Sequence, residues 1–372
     1  MTDFVPVNTP LLDGKEREYL LECIDTGWIS SEGPFVRRFE SEFAARHGRG
    51  HGVAVTNGSA ALDAAVAALG LEQGDEVIMP AFTIVSCANA IVRSGATPVL
   101  VDCDPVTWNM DVHAVKQRIT PRTRAVMAVH IYGLPVHMQP LCELAREHGL
   151  MIIEDAAEVI GQTCEDRPCG SFGDISVFSF YPNKHVTTGE GGMILTDEAG
   201  LADRCRGLRN LCFQAKQRFV HEEMGWNLRM TNLQAALGVA QLEMLETHLD
   251  RKRAIGAFYT RALSGLDHLQ LPLESTLYAD NVYWVFGLVL GDQVPFEARE
   301  AMARLGKLGI GTRPFFWPMH EQPLFHNMGL FEGERHPVSE RLARRGFYIP
   351  SGLALTDSQL ERVADAVREV LA

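Results

Sequence analysis

The stretch SVFSFYPNK at residues 176–184, followed by TGEGG at residues 188–192, decides how the rest of the sequence is interpreted. Residues 176–180 form a short apolar run of the kind that becomes a buried strand. Lys184 comes just after that run, and lysine is rarely buried without a functional reason. Burial lowers the pKa of a lysine and frees its amine for Schiff-base chemistry. The stretch therefore predicts a reactive lysine just beyond the end of a strand.

From about residue 50 to residue 200, short apolar runs alternate with helical segments such as residues 59–69 and 138–148. The runs are bounded by Gly, Pro or Asp, and they are apolar at successive positions, which is typical of strands covered by helices on both faces. This alternation predicts an α/β domain with a mostly parallel, seven-stranded sheet. The seven predicted strands cover residues 52–55, 76–79, 98–101, 125–129, 150–153, 176–180 and 193–195.

The pattern changes after Asn227. One long helix is predicted from Thr231 or Asn232 towards Leu263, because it contains no Pro and its apolar residues recur at helical spacing. A strand at 282–290, a helix at 296–308 and a C-terminal helix that opens with the capping-box pattern TDSQ at 356–359 follow. We therefore predict a large domain at residues 1–245 and a smaller α+β domain at residues 246–372.

Composition and charge exclude several classes of protein. The 372 residues include 34 Lys and Arg against 47 Asp and Glu, a net charge of −13, which argues against a nucleic-acid partner. No apolar run approaches the roughly 20 residues that span a bilayer, and no signal peptide is evident, so no membrane association is expected. The eight scattered cysteines suggest reduced thiols in the cytoplasm. Neither these nor the thirteen histidines form a pattern that predicts a metal site.

Polar residues follow three of the predicted strands, where ligands of open α/β sheets bind. Each piece alone has a simpler explanation, because serines and acids at strand ends commonly cap the next helix. Together they match what pyridoxal 5′-phosphate needs: an amine, a carboxylate for its pyridine nitrogen and a phosphate cradle. The predicted site comprises Lys184 as the amine, Asp155 as the carboxylate, and Gly58, Ser59, Ala60 and Ser179 around the phosphate.

The sequence resembles the DegT/DnrJ/EryC1/StrS family of aminotransferases over nearly its whole length. This family has the aspartate aminotransferase fold, called fold type I, with a large α/β domain, a smaller C-terminal domain and an N-terminal segment that contributes to the active site. The motifs that carry the resemblance are DTGWISS (25–31), NGSAAL (57–62), HIYG (130–133), EDAAE (154–158), FSF (178–180), NK (183–184), TGEGG (188–192) and GWNLRM (225–230).

The resemblance implies roles for individual residues. Lys184 would form the internal aldimine with the cofactor and shuttle the proton. Glu158 takes a position, often Gln or His, that contacts the phenolic side of the cofactor. Ile84 stands where many members place an aromatic residue over the pyridine ring, so stacking here would be aliphatic or come from another side chain. The resemblance further implies a homodimer with shared active sites, in which Asn227 reaches the phosphate of the neighbouring subunit.

Other classes of protein fit the sequence less well. A dehydratase branch of the family replaces the reactive lysine by histidine, whereas position 184 is Lys and His185 stands one place too late. A non-catalytic regulatory protein that binds pyridoxal phosphate usually carries an added DNA-binding domain, for which residues 1–50 are too short. A dinucleotide-dependent dehydrogenase would need G-x-G-x-x-G where this chain has NGSA at 57–60.

Two acceptor substrates stay open, and L-glutamate is the expected amino donor in both cases. Residues 28–40, 229–243 and 313–320 are most similar to members that make GDP-perosamine from a nucleotide-linked 4-keto-6-deoxymannose for lipopolysaccharide O-antigens. Residues 80–90 and 180–193 are more similar to members that aminate 8-oxo-3-deoxy-octulosonate to 8-amino-3,8-dideoxy-manno-octulosonate. Candidate substrate contacts are Trp28, His185, Arg229, Arg313 and His320, with Arg218 and His221 as weaker candidates that would otherwise belong to a solvated loop.

Overall fold

The computed structural model describes residues 4–213, 217 and 219–371. Its helices are α1 (Glu16–Thr26), α2 (Pro34–Arg46), α3 (Gly58–Ala68), α4 (Val85–Ser94), α5 (Val112–Arg118), α6 (Met138–His148), α7 (Ala199–Arg209), α8 (Asn232–Glu243), α9 (Leu245–Leu263), α10 (Ala298–Lys307), α11 (Pro323–His326), α12 (Pro337–Arg345) and α13 (Asp357–Leu371). Its strands are β1 (His51–Val55), β2 (Glu76–Pro80), β3 (Thr97–Val101), β4 (Thr123–Val129), β5 (Met151–Asp155), β6 (Thr163–Cys164), β7 (Arg167–Pro168), β8 (Ile175–Ser179), β9 (Gly192–Thr196), β10 (Leu269–Gln270), β11 (Phe286–Leu290), β12 (Arg313–Pro314) and β13 (Gly346–Ile349).

The central sheet contains all seven predicted strands, in the order β1-β9-β8-β5-β4-β2-β3. Strands β8, β5, β4, β2 and β3 are parallel, and β9 runs antiparallel to both of its neighbours. The predicted fold class is confirmed, because a mostly parallel sheet lies between helices. The parallel arrangement brings the carboxyl ends of β4, β5 and β8 to one edge of the sheet.

Apolar side chains pack on both faces of the sheet, as the unbroken apolar runs predict. Along β2, Val77 and Met79 face the core beneath α3 and α4, whereas Ile78 faces the core beneath α2, α6 and α8. All three side chains are fully buried. The sheet is therefore held between two apolar layers, and this fixes where its polar edge residues can lie.

The predicted helix from residue 231 to residue 263 is two helices, so this prediction was wrong in one respect. Thr231 caps α8 through a complete capping box with Gln234, but the backbone leaves helical geometry at Met244. There φ is −97° and ψ is 1°. Helix α9 then packs Leu249 into the core of the large sheet and Tyr259 into the core of the C-terminal unit. A domain boundary near residue 245 stays a prediction, because α9 is shared by both cores.

The C-terminal unit has a small antiparallel sheet, in the order β10-β11-β13-β12, packed against α10 and α12, and α13 packs against α9 and α10. The predicted capping box forms, since Thr356 and Gln359 exchange hydrogen bonds at 3.0 and 3.3 Å. Residues 5–9 run along this unit, and the Val5 carbonyl accepts a hydrogen bond from Gly311 N at 2.8 Å. Among the described residues, no helix combines the length and apolar character needed to cross a membrane.

Glu154 at the end of β5 is a fully buried carboxylate that organises the neighbouring loops. It accepts hydrogen bonds from the amides of Gly170, Phe172 and Gly173 and from the hydroxyl of Ser176. His130 Nε2 lies 3.1 Å from the carboxylate and donates to it, because His130 Nδ1 accepts from Val136 N. Burial alone would raise the pKa of Glu154, but the hydrogen bonds from His130 and the loop amides lower the pKa to about 2.

We expect Glu154→Gln to destabilise the apoprotein by about 3 kcal/mol at pH 7, because the donors around it would lose their charged acceptor. The pKa of Glu154 is lower in the folded than in the unfolded protein. Its stabilisation is therefore complete above about pH 4.3 and is lost as the pH falls towards 2. Urea unfolding at pH 7, 5 and 3 should show that the difference in free energy of unfolding between variant and wild type becomes smaller at pH 3. The same substitution at the exposed Glu361, Glu361→Gln, is the control. A difference in free energy of unfolding that is the same at every pH would contradict the role of Glu154 as a buried anion.

Candidate active site

A cavity of about 570 Å³ opens at the edge of the sheet where β4, β5 and β8 end. Val129, Asp155 and Ser179, the last residues of these strands, line it. Trp284, Phe316 and Tyr348 close it from the C-terminal unit. Most of the predicted cofactor residues meet here, namely Gly58, Ser59, Ile84, Asp155, Glu158, Ser179 and Lys184. Ala60 lies one residue farther along α3 and is buried, and it does not line the cavity.

One end of the cavity is formed by the N-terminus of α3. Asn57 caps the helix, with its Oδ1 accepting from Ala60 N at 2.8 Å, and the hydroxyls of Ser59 and Ser86 lie 2.7 Å apart. A Cβ on Gly58 would lie only 2.7 Å from Ser179 Cβ, so glycine lets the helix start against the end of β8. Backbone N–H groups of a first turn, the helix dipole and two hydroxyls form a suitable cradle for a phosphate.

Asp155 lies deeper in the cavity and is only 3% exposed. Its Oδ1 accepts from Ala157 N at 3.1 Å, and Cys87 Sγ lies 3.4 Å from Oδ2. Burial raises the pKa of Asp155, while the Ala157 amide and the charge of Lys184 act in the opposite direction. A buried carboxylate with spare acceptor capacity fits a protonated ring nitrogen, which would supply the missing positive charge.

Lys184 reaches the same cavity from the loop after β8, and its side chain is 8% exposed. Its Nζ lies 3.9 Å from Glu158 Oε1 and 3.7 Å from the centre of the Trp284 ring. Burial lowers the pKa of Lys184, although the carboxylates of Glu158 and Asp155 oppose this shift. Burial also raises the pKa of Glu158 to about 8, although its Oε2 accepts from Tyr132 N at 2.8 Å. The amine is thus closer to its neutral, nucleophilic form than an exposed lysine.

The aromatic wall around Lys184 was not predicted. The Trp284 indole donates to the Asn183 carbonyl at 2.9 Å, which fixes its ring over the lysine. Behind it, Tyr132 packs against Trp284 and Phe316, with ring centres 5.8 and 5.4 Å away. Ile84 lines the cavity from the start of α4 with 42% of its surface exposed. No sequence motif marks Trp284, Phe316 or Tyr348, which reach the site only through the packing of the C-terminal unit.

None of the five predicted substrate contacts lines this cavity. His185 is fully buried on the other side of its loop, with Nε2 3.2 Å from the Val282 carbonyl. His320 is buried beside Glu340 and Glu321, and Arg335 and Arg344 pair with these two acids. Two more are Arg229, which bonds to Asn210, and Trp28, which is exposed and whose carbonyl accepts from Asn232.

The other candidates lie at the surface. Asn227 is exposed and forms a β-bridge with Asn210, and it does not line its own subunit's cavity. Arg313 is exposed at the rim of a smaller cavity that adjoins the first. His221 is exposed and donates to the Leu211 carbonyl at 2.7 Å, and Arg218 lies outside the described residues.

Comparison with known proteins identifies the family. The DegT/DnrJ/EryC1/StrS aminotransferase family model matches residues 10–368. The GDP-perosamine synthase of Caulobacter vibrioides is 41% identical over 99% of this chain and 98% of the relative. The GDP-perosamine synthase of Vibrio cholerae is also 41% identical, over 98% of each chain.

Solved structures agree with this assignment. The crystal structure of DesV from S. venezuelae, determined with a ketimine intermediate, superposes with a TM-score of 0.89 at 35% identity. The alignment covers 100% of this chain and 99% of DesV. The chain therefore belongs to the DegT/DnrJ/EryC1/StrS aminotransferase family, and it is an aminotransferase that depends on pyridoxal phosphate.

We expect Gly58→Ala to weaken cofactor binding about tenfold, because the added Cβ would push the start of α3 away from Ser179. Spectrophotometric titration of the apoprotein with pyridoxal phosphate measures this affinity. Gly200→Ala is the matched control, since a Cβ on Gly200 in α7 would meet nothing within 4 Å. Unchanged affinity in Gly58→Ala would show that the close approach at this point does not shape the phosphate cradle.

Proposed function

We propose that this family member transfers an amino group from L-glutamate to C4 of a nucleotide-linked 4-keto-6-deoxyhexose, as a GDP-perosamine synthase does, in lipopolysaccharide O-antigen sugar biosynthesis. The observation that carries the proposal is the 41% identity to two GDP-perosamine synthases over nearly the whole of each chain. The chain is a sugar aminotransferase, and an acceptor keto sugar and an amino donor are its substrates. The 570 Å³ cavity has room for both the cofactor and a sugar ring.

Lys184 and Glu158 would act at the reactive end of the bound cofactor. When bound, pyridoxal phosphate supplies the carbonyl that takes up the amino group and a ring that accepts electrons. Lys184 Nζ would hold the cofactor at rest, remove the proton from Cα of the donor and later deliver a proton to C4 of the sugar. Glu158, whose Oε1 lies 3.9 Å from this amine, would contact the phenolic side of the cofactor.

Asp155 and the N-terminus of α3 would fix the two ends of the cofactor. The Asp155 carboxylate would hold the proton on the ring nitrogen, because a buried anion favours a charged partner. Gly58 and Ser59 would bind the phosphate, and Ser179 would line the same end, with Ala60 supporting the helix cap. Ile84 would cover the ring from the α4 side, and Trp284 closes the side next to Lys184.

A homodimer with shared active sites is part of the proposal. Asn227 would reach the phosphate in the neighbouring subunit, which is supported by its exposure and its position outside its own cavity. Ile24, Trp28 and Ile29 expose more than half of their surface on α1 and the following turn, and a second subunit would cover them. We place the enzyme in the cytoplasm, where all eight cysteines would stay in the free form that the structure shows.

A substrate panel tests the proposed function. The holoenzyme is given L-glutamate with GDP-4-keto-6-deoxymannose or with 8-oxo-3-deoxy-octulosonate, and release of 2-oxoglutarate is measured. We expect kcat/KM for the GDP sugar to exceed that for the free keto acid by about tenfold or more, with Lys184→Ala inactive towards both. Preference for the octulosonate would assign the alternative acceptor. Failure of both keto sugars, despite bound cofactor and a normal reaction with L-glutamate, would show that the acceptor is a different keto sugar.

Mixed dimers test the shared site. We expect Asn227→Ala to lose roughly 1.5–3 kcal/mol of cofactor binding and Lys184→Ala to be inactive. If each site combines Lys184 of one subunit with Asn227 of the other, half of the mixed dimers' sites are intact. At a cofactor concentration that leaves Asn227→Ala homodimers inactive, an equimolar mixture should then regain about a quarter of wild-type activity after subunit exchange. No recovery, despite demonstrated exchange and a clear defect in each parent variant, would place Asn227 in the site of its own subunit.

A further inference from the structure

A second cavity of about 280 Å³ adjoins the cofactor cavity. The two cavities share Tyr181, Asn183, Trp284 and Tyr348 as walls. Asn8, Arg313 and Ser351 line only the second one, and we call it the side chamber. A molecule that occupies the side chamber would lie beside the loop that carries Lys184.

Arg313 gives the side chamber a positive charge without a matching acid. Among the described residues, no carboxylate lies within ion-pair distance of the Arg313 guanidinium. The guanidinium donates one long hydrogen bond of 3.4 Å to the Thr312 carbonyl. No Asp or Glu lines the chamber. In a chain with a net charge of −13, an unpaired cation at the rim of a cavity favours an anionic ligand.

The wall between the two cavities offers neutral hydrogen-bonding groups. The side-chain oxygen of Asn183 is buried and has no hydrogen-bond partner in the described structure, although a buried polar atom usually has one. As an acceptor, this oxygen could pair with an N–H group of a ligand but not with a carboxylate. Asn8 closes the chamber opposite, where its Nδ2 donates to the Pro182 carbonyl at 2.9 Å.

The far wall is held in place by a buried lysine. Lys252 on α9 is 1% exposed, and its Nζ donates to the carbonyls of Trp284 and Ser351 at 2.8 and 2.7 Å. These bonds join two segments that both line the side chamber. These bonds preorganise the wall of the side chamber, which lowers the entropic cost of binding a ligand.

We infer that the side chamber binds a carboxylate of the amino donor, with Arg313 as its cationic contact. The inference rests on the proposed function, in which the donor is L-glutamate. A planar guanidinium matches a carboxylate with two parallel hydrogen bonds. The chamber is smaller than the roughly 300 Å³ at which drug-sized sites begin, so it suits an amino acid better than a nucleoside diphosphate.

The two half-reactions of the enzyme separate the donor from the acceptor. In the first, the holoenzyme is mixed with L-glutamate alone and the change in the cofactor absorption band is followed. In the second, enzyme loaded with pyridoxamine phosphate is mixed with the keto sugar. Arg313→Gln is compared with Arg313→Lys, which keeps the charge, and with Arg299→Gln, an equal charge change on the exposed surface of α10.

We expect Arg313→Gln to raise the glutamate concentration for half-maximal rate about tenfold or more, while the sugar half-reaction stays within about twofold of wild type. Arg313→Lys should recover part of the loss, and Arg299→Gln should match wild type in both reactions. A defect confined to the sugar half-reaction would assign the chamber to the phosphates of the acceptor and overturn the inference. Equal defects in both half-reactions, or none in either, would also overturn it.

The same design separates this inference from the proposed function. The first half-reaction contains no sugar, so it reports on the side chamber whichever acceptor the enzyme uses. If wild type reacts with glutamate but aminates none of the keto sugars in the panel, the proposed acceptor is wrong while the assignment of the chamber is still measured directly.

Discussion

The active site depends on the burial of one amine. A lysine side chain loses hydration when it is buried, and the Lys184 amine has its closest carboxylate at 3.9 Å, beyond hydrogen-bonding distance. The strand β8 and its following loop bring this amine to the sheet edge, and the C-terminal unit covers it with the Trp284 ring. The same burial governs Asp155 and Glu158, whose pKa values it raises. Burial therefore disfavours the charged form of all three groups.

Glu154 and Glu158 lie four residues apart and show how strongly local hydrogen bonds change the pKa of a buried acid. Glu154 and Glu158 are both buried, yet the pKa is lowered to about 2 in the first and raised to about 8 in the second. Glu154 accepts five hydrogen bonds, whereas Glu158 accepts one from Tyr132 N. Glu154 is therefore a fixed anion that shapes loops, and Glu158 is free to respond to a bound molecule.

Much of the fold could be predicted from the sequence because local rules determine it. The seven strands follow from apolar runs, and the meeting of Gly58, Asp155 and Lys184 follows from the shared edge of parallel strands. The aromatic wall could not be predicted, because Trp284 lies about 100 residues from Lys184 and only tertiary packing joins them. The position of His185 outside the cavity could not be predicted, because adjacent side chains in a loop need not face the same way. The break at Met244 went unseen because helical periodicity continues on both sides of it.

The path of residues 5–9 has a consequence for folding order. Val5 pairs with Gly311 and Val7 with Ser351, contacts between residues more than 300 positions apart in the sequence. Closing so long a loop is entropically costly and slow compared with forming the local βαβ units of the large sheet. The cofactor cradle around α3 can therefore form early, whereas the side chamber, which needs Asn8 beside Ser351, is completed only after both ends of the chain have docked.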